Sequence, residues 1–139
     1  FKKIKRWIEE YQPQGFIPIV TLQHFELDNF KPQSAHRIDS KNLSNAGAMI
    51  VSGSQAHHAQ CAVFNGERFI HYGLGNLFFD QMDQAGTRQS FVDLYTVYEN
   101  RLLNVSLWTG LIENYARPRL MTPEERADLL QTVFAASGW

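Results

Sequence analysis

The sequence predicts an α/β fold: a βαβ unit, then antiparallel hairpins, then a C-terminal helix. Three observations carry this. Two short apolar runs, "FIPIVTL" (16–22) and "AMIVS" (48–52), flank a helix-patterned stretch, and the whole has the size of a right-handed crossover. Two pairs of alternating segments follow, each joined by a short turn signal, as hairpins require. A Thr-Pro-Glu-Glu start at Thr122 then opens a final helix.

In chain order, Ile4, Trp7, Ile8 and Tyr11 recur at i, i+3, i+4 and i+7, one face of an amphipathic helix. Pro13 and Gly15 stop it. The run 16–22 reads as a buried parallel strand, with Pro18 calling for its first residues or a sheet edge. A helix is expected around Gln33 to Asn45, with Ala35, Ile38 and Leu43 inward, and Gly47 is available for the left-handed stop. The second buried strand, 48–52, completes the βαβ unit. "CAVF" and "ERFIHY" then flank Asn65-Gly66, a strong hairpin signal. "SFVDLYTVY" and "LLNVSLWTGLI" form a second antiparallel pair across "ENR", and the closing helix carries a capping box from Thr122 to Glu125 with Pro123 at its first position. Trp108, Tyr115 and Phe134 read most simply as core.

Composition narrows the classes. A chain of 139 residues, 44% hydrophobic and 19% charged, has the size and balance of one folded domain and excludes disorder. A formal net charge of −1 leaves no electrostatic footprint for nucleic acid. Cys61 is the single cysteine, so no intrachain disulfide can form. No apolar run has the length of a membrane span. The chain opens on Phe1 already in helical pattern, so a piece of a longer protein is expected.

The chemistry gathers by topology. Loops leaving the carboxyl ends of two parallel strands emerge on one sheet edge, where ligand sites of open α/β sheets lie. Here those loops begin "QHFELD" (23–28) and "GSQAHH" (53–58), bringing together Gln23, His24, Glu26, Gln55, His57 and His58. Histidine and carboxylate are ordinary ligands for Zn, Mn or Fe; glutamine is a poor one. On spacing alone these residues are either a metal site or polar loops at strand ends. Adjacent histidines point to opposite faces of an extended segment, so at most one of His57 and His58 joins such a site. Asn76, beside Gly73 and Gly75, either contacts substrate or secures a tight turn. His71 reads as a satisfied core or edge histidine, and Arg117 and Arg119 as solvated surface.

"NAGAMIVSGSQAHHAQ" followed by "NGERFIHYGLGNLFFD", from Ala46 to Asp80, resembles the carboxyl-terminal half of the CapA family of poly-γ-glutamate capsule proteins. "YGLGNLFFD" is the most specific part of that likeness. The resemblance implies half of a calcineurin-like metallophosphatase two-sheet sandwich with flanking helices. Residues 1–139 would then be a single unit of a larger CapA-like domain. It further implies poly-γ-glutamate or related capsule synthesis outside the cytoplasm, at the cell envelope.

Laid on the family patterns "GSHPH" and "HWGxE", Ser54, His57 and Glu26 are kept, while Gln55 and Gln23 stand where histidines are expected. His24 replaces an aromatic and could substitute as a ligand. The implied metal set is therefore Gln23, His24, Gln55 and His57, with His57 and Glu26 as catalytic candidates and Asn76 and Ser54 as substrate contacts. Two functions follow: a hydrolase using a divalent transition metal (Mn, Fe or Zn) on a phosphoester or amide-linked polymer, or a non-catalytic module binding an acidic polymer or capsule synthase components. A half-sandwich would leave an apolar face open, so a homodimer or pairing with a missing amino-terminal half is expected.

Overall fold

The computed structural model describes residues 1–139. Two sheets and three helices build an α/β sandwich. Helix α1 (Lys2–Tyr11) leads through a short 3-10 turn (Gln12–Gln14) into β1 (Ile19–Gln23), followed by α2 (Ser34–Asn45) and β2 (Ile50–Ser54). Next come β3 (Ala62–Asn65) and β4 (Arg68–His71), the long pair β5 (Gln89–Tyr98) and β6 (Arg101–Glu113), β7 (Arg117–Leu120) and α3 (Pro123–Ser137).

The first sheet has the order β1-β2-β4-β3 and the second β5-β6-β7. β1 and β2 are parallel, in register from Ile19↔Ile50 to Gln23↔Ser54, as the crossover requires. β2 is also parallel to β4, so the hairpin inserts its second strand beside β2. Val20, Val51 and Ile70 face α1 and α2, where they close one core with Ile8 and Leu43. The opposite face of β4 meets the second sheet, with the Phe69 ring 6.2 Å from Tyr95 and His71 5.1 Å from Phe91. A second core joins Phe91 and Ala59 to Leu129 and Val133 of α3.

Several expectations are corrected. β1 begins at Ile19, after Pro18, and only Val20 of it is buried, because it is an edge strand. Pro18, which has no N–H to give, sits just outside the ladder and its carbonyl accepts from Met49 N at 2.9 Å. Ala35 and Ile38 face solvent; the inward stripe of α2 is His36, Ser40, Leu43 and Ser44. His36 and Leu43 anchor that stripe: the His36 ring stacks on His24 and meets the Tyr72 ring edge-on, and Leu43 closes the first core.

On α1, Ile8 is buried while Trp7 and Tyr11 are exposed, Trp7 lying under the Lys3 ammonium and Tyr11 edge-on to Phe16. Trp108 and Tyr115 are surface residues too, on the outer sheet face and in a turn; Phe134 packs against the second core. The first hairpin turns at Gly66-Glu67, one residue later than the Asn-Gly reading, with Gly66 at φ +63° as a type II′ turn needs. The second turns at Glu99-Asn100, both left-handed. β7 was hidden by Pro118, which an edge strand tolerates. The capping box is as expected: Glu125 N donates to Thr122 Oγ1 and Thr122 N to Glu125 Oε2.

Candidate functional site

The two loops meet where the parallel register puts them. Gln23 ends β1 opposite Ser54, and one residue on Gln55 turns the chain at φ +83°, a left-handed conformation that a side-chain-bearing residue adopts at a cost. That turn swings the Gln55 amide between its neighbours. Gln23 Nε2 donates to Gln55 Oε1, and Gln55 Nε2 donates to Glu26 Oε1 at 2.9 Å. The two amides and the carboxylate thus form one hydrogen-bonded chain across the sheet edge.

His57 follows on the same loop. The Asn76 amide is oriented by donating Nδ2 to the Thr87 carbonyl at 2.9 Å, which leaves its Oδ1 facing His57 Nδ1 at 3.1 Å. An amide oxygen only accepts, so His57 Nδ1 carries the proton and Nε2 keeps a lone pair in the neutral ring. Asn76 therefore both secures the 75–88 loop and sets a histidine tautomer. His24 goes elsewhere: its Nε2 is 3.1 Å from Asp39 Oδ2 and its ring stacks on His36 at 4.7 Å. His58 is buried beside Phe30, with a Gly86 Cβ excluded at 2.3 Å from its ring.

Between these loops and β5 lies an open cleft of about 670 Å³. Its polar side is Glu26, Ser54, Gln55, His57 and Asn76; its other wall is Phe79, Phe91, Asp93 and Tyr95. Neither lysine nor arginine lines it. Under that wall sits a buried relay. Tyr95 Oη donates to Asp93 Oδ2 at 2.8 Å, the same oxygen lies 2.7 Å from His71 Nδ1, and His71 Nε2 is 3.1 Å from the Gln60 carbonyl. A carbonyl only accepts, so Nε2 bears a proton, and the Nδ1–Oδ2 contact holds another between ring and carboxyl. Burial, reinforced by the Asp93 charge and hydrogen bond, pushes the Tyr95 phenol far above its ordinary range. On the other side of the sheet, burial first and the neighbouring His24 second lower His36 to about 4, against a smaller pull upward from Asp39.

Most of the residues that the resemblance marks for metal are hydrogen-bonded to protein partners. No three His, Cys, Asp or Glu side chains are grouped to hold an ion. The Gln23 and Gln55 amides are engaged with each other and with Glu26, and His24 is turned toward Asp39. Sequence reading found the loops but missed Asp93, Tyr95 and Phe79. The strand alternation of "SFVDLYTVY" does carry the signal, since it puts an aspartate on the inward face between Phe91 and Tyr95. Arg117 is surface as read, but Arg119 clamps Glu113 and Glu125 at 2.8 and 2.6 Å, tying β7 to the start of α3.

The fold and the cleft define an α/β sandwich with a polar site at the carboxyl ends of its parallel strands. The family model of the bacterial capsule synthesis protein PGA_cap matches residues 1–81, more than half of the chain. This protein belongs to that bacterial capsule synthesis family. No curated protein matches it significantly. No helix is long and apolar enough to cross a membrane.

Proposed function

We propose that this chain serves capsule synthesis at the cell envelope as a non-catalytic binding module, built on a metallophosphatase-like loop whose ligand positions have turned to hydrogen bonding. One observation carries the reading: Gln23, Gln55 and Glu26 satisfy one another in a chain that needs no ion. Neutral amides are weak donors to a cation and good partners for a carboxylate or a polar ligand. The cleft beside them offers amides, a hydroxyl and aromatic faces, the usual means of holding and orienting a ligand. Its lack of lysine and arginine weighs against a polyanion being held inside it, so an acidic polymer would engage other surfaces.

The test is to incubate the full-length protein with the capsule polymer of its own producing cells and to follow both by size-exclusion chromatography. Co-elution with polymer of unchanged length supports the module. A second reading, hydrolysis with His57 as the proton carrier, is favoured by the tautomer that Asn76 sets, which aims a basic nitrogen away from its hydrogen-bond partner. Shortening of the polymer that disappears in His57→Ala would establish the second reading and remove the first.

A further inference from the structure

The cleft wall contains a buried acceptor with nothing to accept. The Asp93 side chain is 3% exposed, and while Oδ2 takes the Tyr95 and His71 hydrogen bonds, Oδ1 has no partner at all. A buried carboxylate oxygen left without a hydrogen bond is destabilising, so a native protein keeps one where something else completes it. Asp93 lines the cleft, as does the second carboxylate, Glu26, which has one oxygen left after Gln55 binds the other. Around them are the rings of Phe79, Phe91 and Tyr95, and neither lysine nor arginine shares the space.

We propose that this cleft binds a protonated primary amine on an aliphatic stem, with Asp93 Oδ1 and Glu26 accepting from the ammonium and the aromatic rings covering the stem. The inference rests on the binding-module reading and names the chemical class that module takes. Three features agree on the sign of the ligand. Glu26, a carboxylate with neither lysine nor arginine beside it in the cleft, repels an anion. Aromatic faces attract a cation through their negative ring faces. The free acceptor at Asp93 requires a donor, and an ammonium has three. His71 already balances the charge on Asp93 through Oδ2, so the ammonium meets a hydrogen-bonding oxygen held rigidly in place. Glu26, more exposed, supplies the uncompensated charge.

The probe is 1,4-diaminobutane, titrated by calorimetry into the full-length protein beside 1,4-butanediol and succinate, which match it in length but are neutral and anionic. Saturable binding of the diamine alone is expected. Glu26→Gln, on an exposed loop and without consequence for folding, should weaken it about tenfold, the loss of one charge-assisted hydrogen bond. Asp93→Asn should abolish it; if that variant does not fold, Glu26→Gln decides. No saturable diamine binding, succinate binding as tightly, or full diamine affinity in Glu26→Gln would each overturn the proposal. These readouts do not depend on polymer length or on metal content, so failure here leaves the module reading standing and is distinguishable from its failure.

Discussion

Gly53→Ala tests the packing that places the whole site. Gly53 lies in β2 between the helix α2 and the chain leaving β4. A Cβ there would sit 1.8 Å from the Tyr72 carbonyl oxygen and 2.5 Å from its carbon, both backbone atoms that no rotamer change can move. An ordinary carbon–oxygen approach is near ~3.3 Å, so β2 and the Tyr72 segment must part by more than an ångström. Overpacking of that kind costs about 1–3 kcal/mol, and the strained β2–β4 ladder near Ser52 and His71 loses one or two hydrogen bonds at about 1 kcal/mol each. The expected loss is about 3–4 kcal/mol, a large part of the stability of an ordinary domain. Gly66→Ala is the control: nothing lies within 4 Å of its added methyl, and only the φ of +63° is strained, at about 1 kcal/mol. Urea unfolding of both variants followed by far-UV circular dichroism reads the difference. A Gly53→Ala midpoint at or above that of Gly66→Ala would refute the reasoning.

Three further outcomes are expected. His36 is held at about 4 in the folded protein against 6.5 in the unfolded chain, so its contribution is complete above pH 6.5 and is lost as pH falls toward 4. Discounted for partial solvent screening, that is about 2 kcal/mol, visible as a falling Tm across that window and flattened in His36→Gln. Gln55→Gly relieves the left-handed backbone but removes two exposed hydrogen bonds, so its stability should stay within about 0.5 kcal/mol of wild type, while Gln55→Ala keeps the strain and should lose about 1 kcal/mol. Thr122→Ala removes the acceptor that caps α3 and should cost about 1 kcal/mol in the same urea assay.

The crossover was legible in the sequence because two β-branched runs around a helical stretch admit few other topologies. The meeting of Gln23 with Gln55 and Glu26 followed from it. What stayed hidden depends on neighbours distant in the chain. No local pattern says that β4 lies parallel to β2, since that pairing is decided by where the hairpin docks. The inward stripe of α2 is not legible because apolar Ile38 outranks His36, Ser40 and Ser44 on hydropathy, while the aromatic neighbours that seat His36 (His24 and Tyr72) are distant in the chain. β7 was lost to Pro118, a breaker everywhere except at an edge. In the site, residue types pointed to ion ligation, and only coordinates show the two amides bonded to each other and His24 turned to Asp39. Asp93 was readable as a charge on an inward strand face, but its free oxygen was not.

In the proposed function the loop at the end of β2 works by hydrogen bonding in place of a metal. Elemental mass spectrometry of the full-length protein, purified after exposure to Mn, Fe and Zn, tests it beside the double variant Gln23→His/Gln55→His. The account predicts far less than one metal per chain in the wild type and a clear gain in the variant, as two imidazoles replace two amides beside Glu26 and His57. A stoichiometric metal in the wild type that falls in His57→Ala would contradict it.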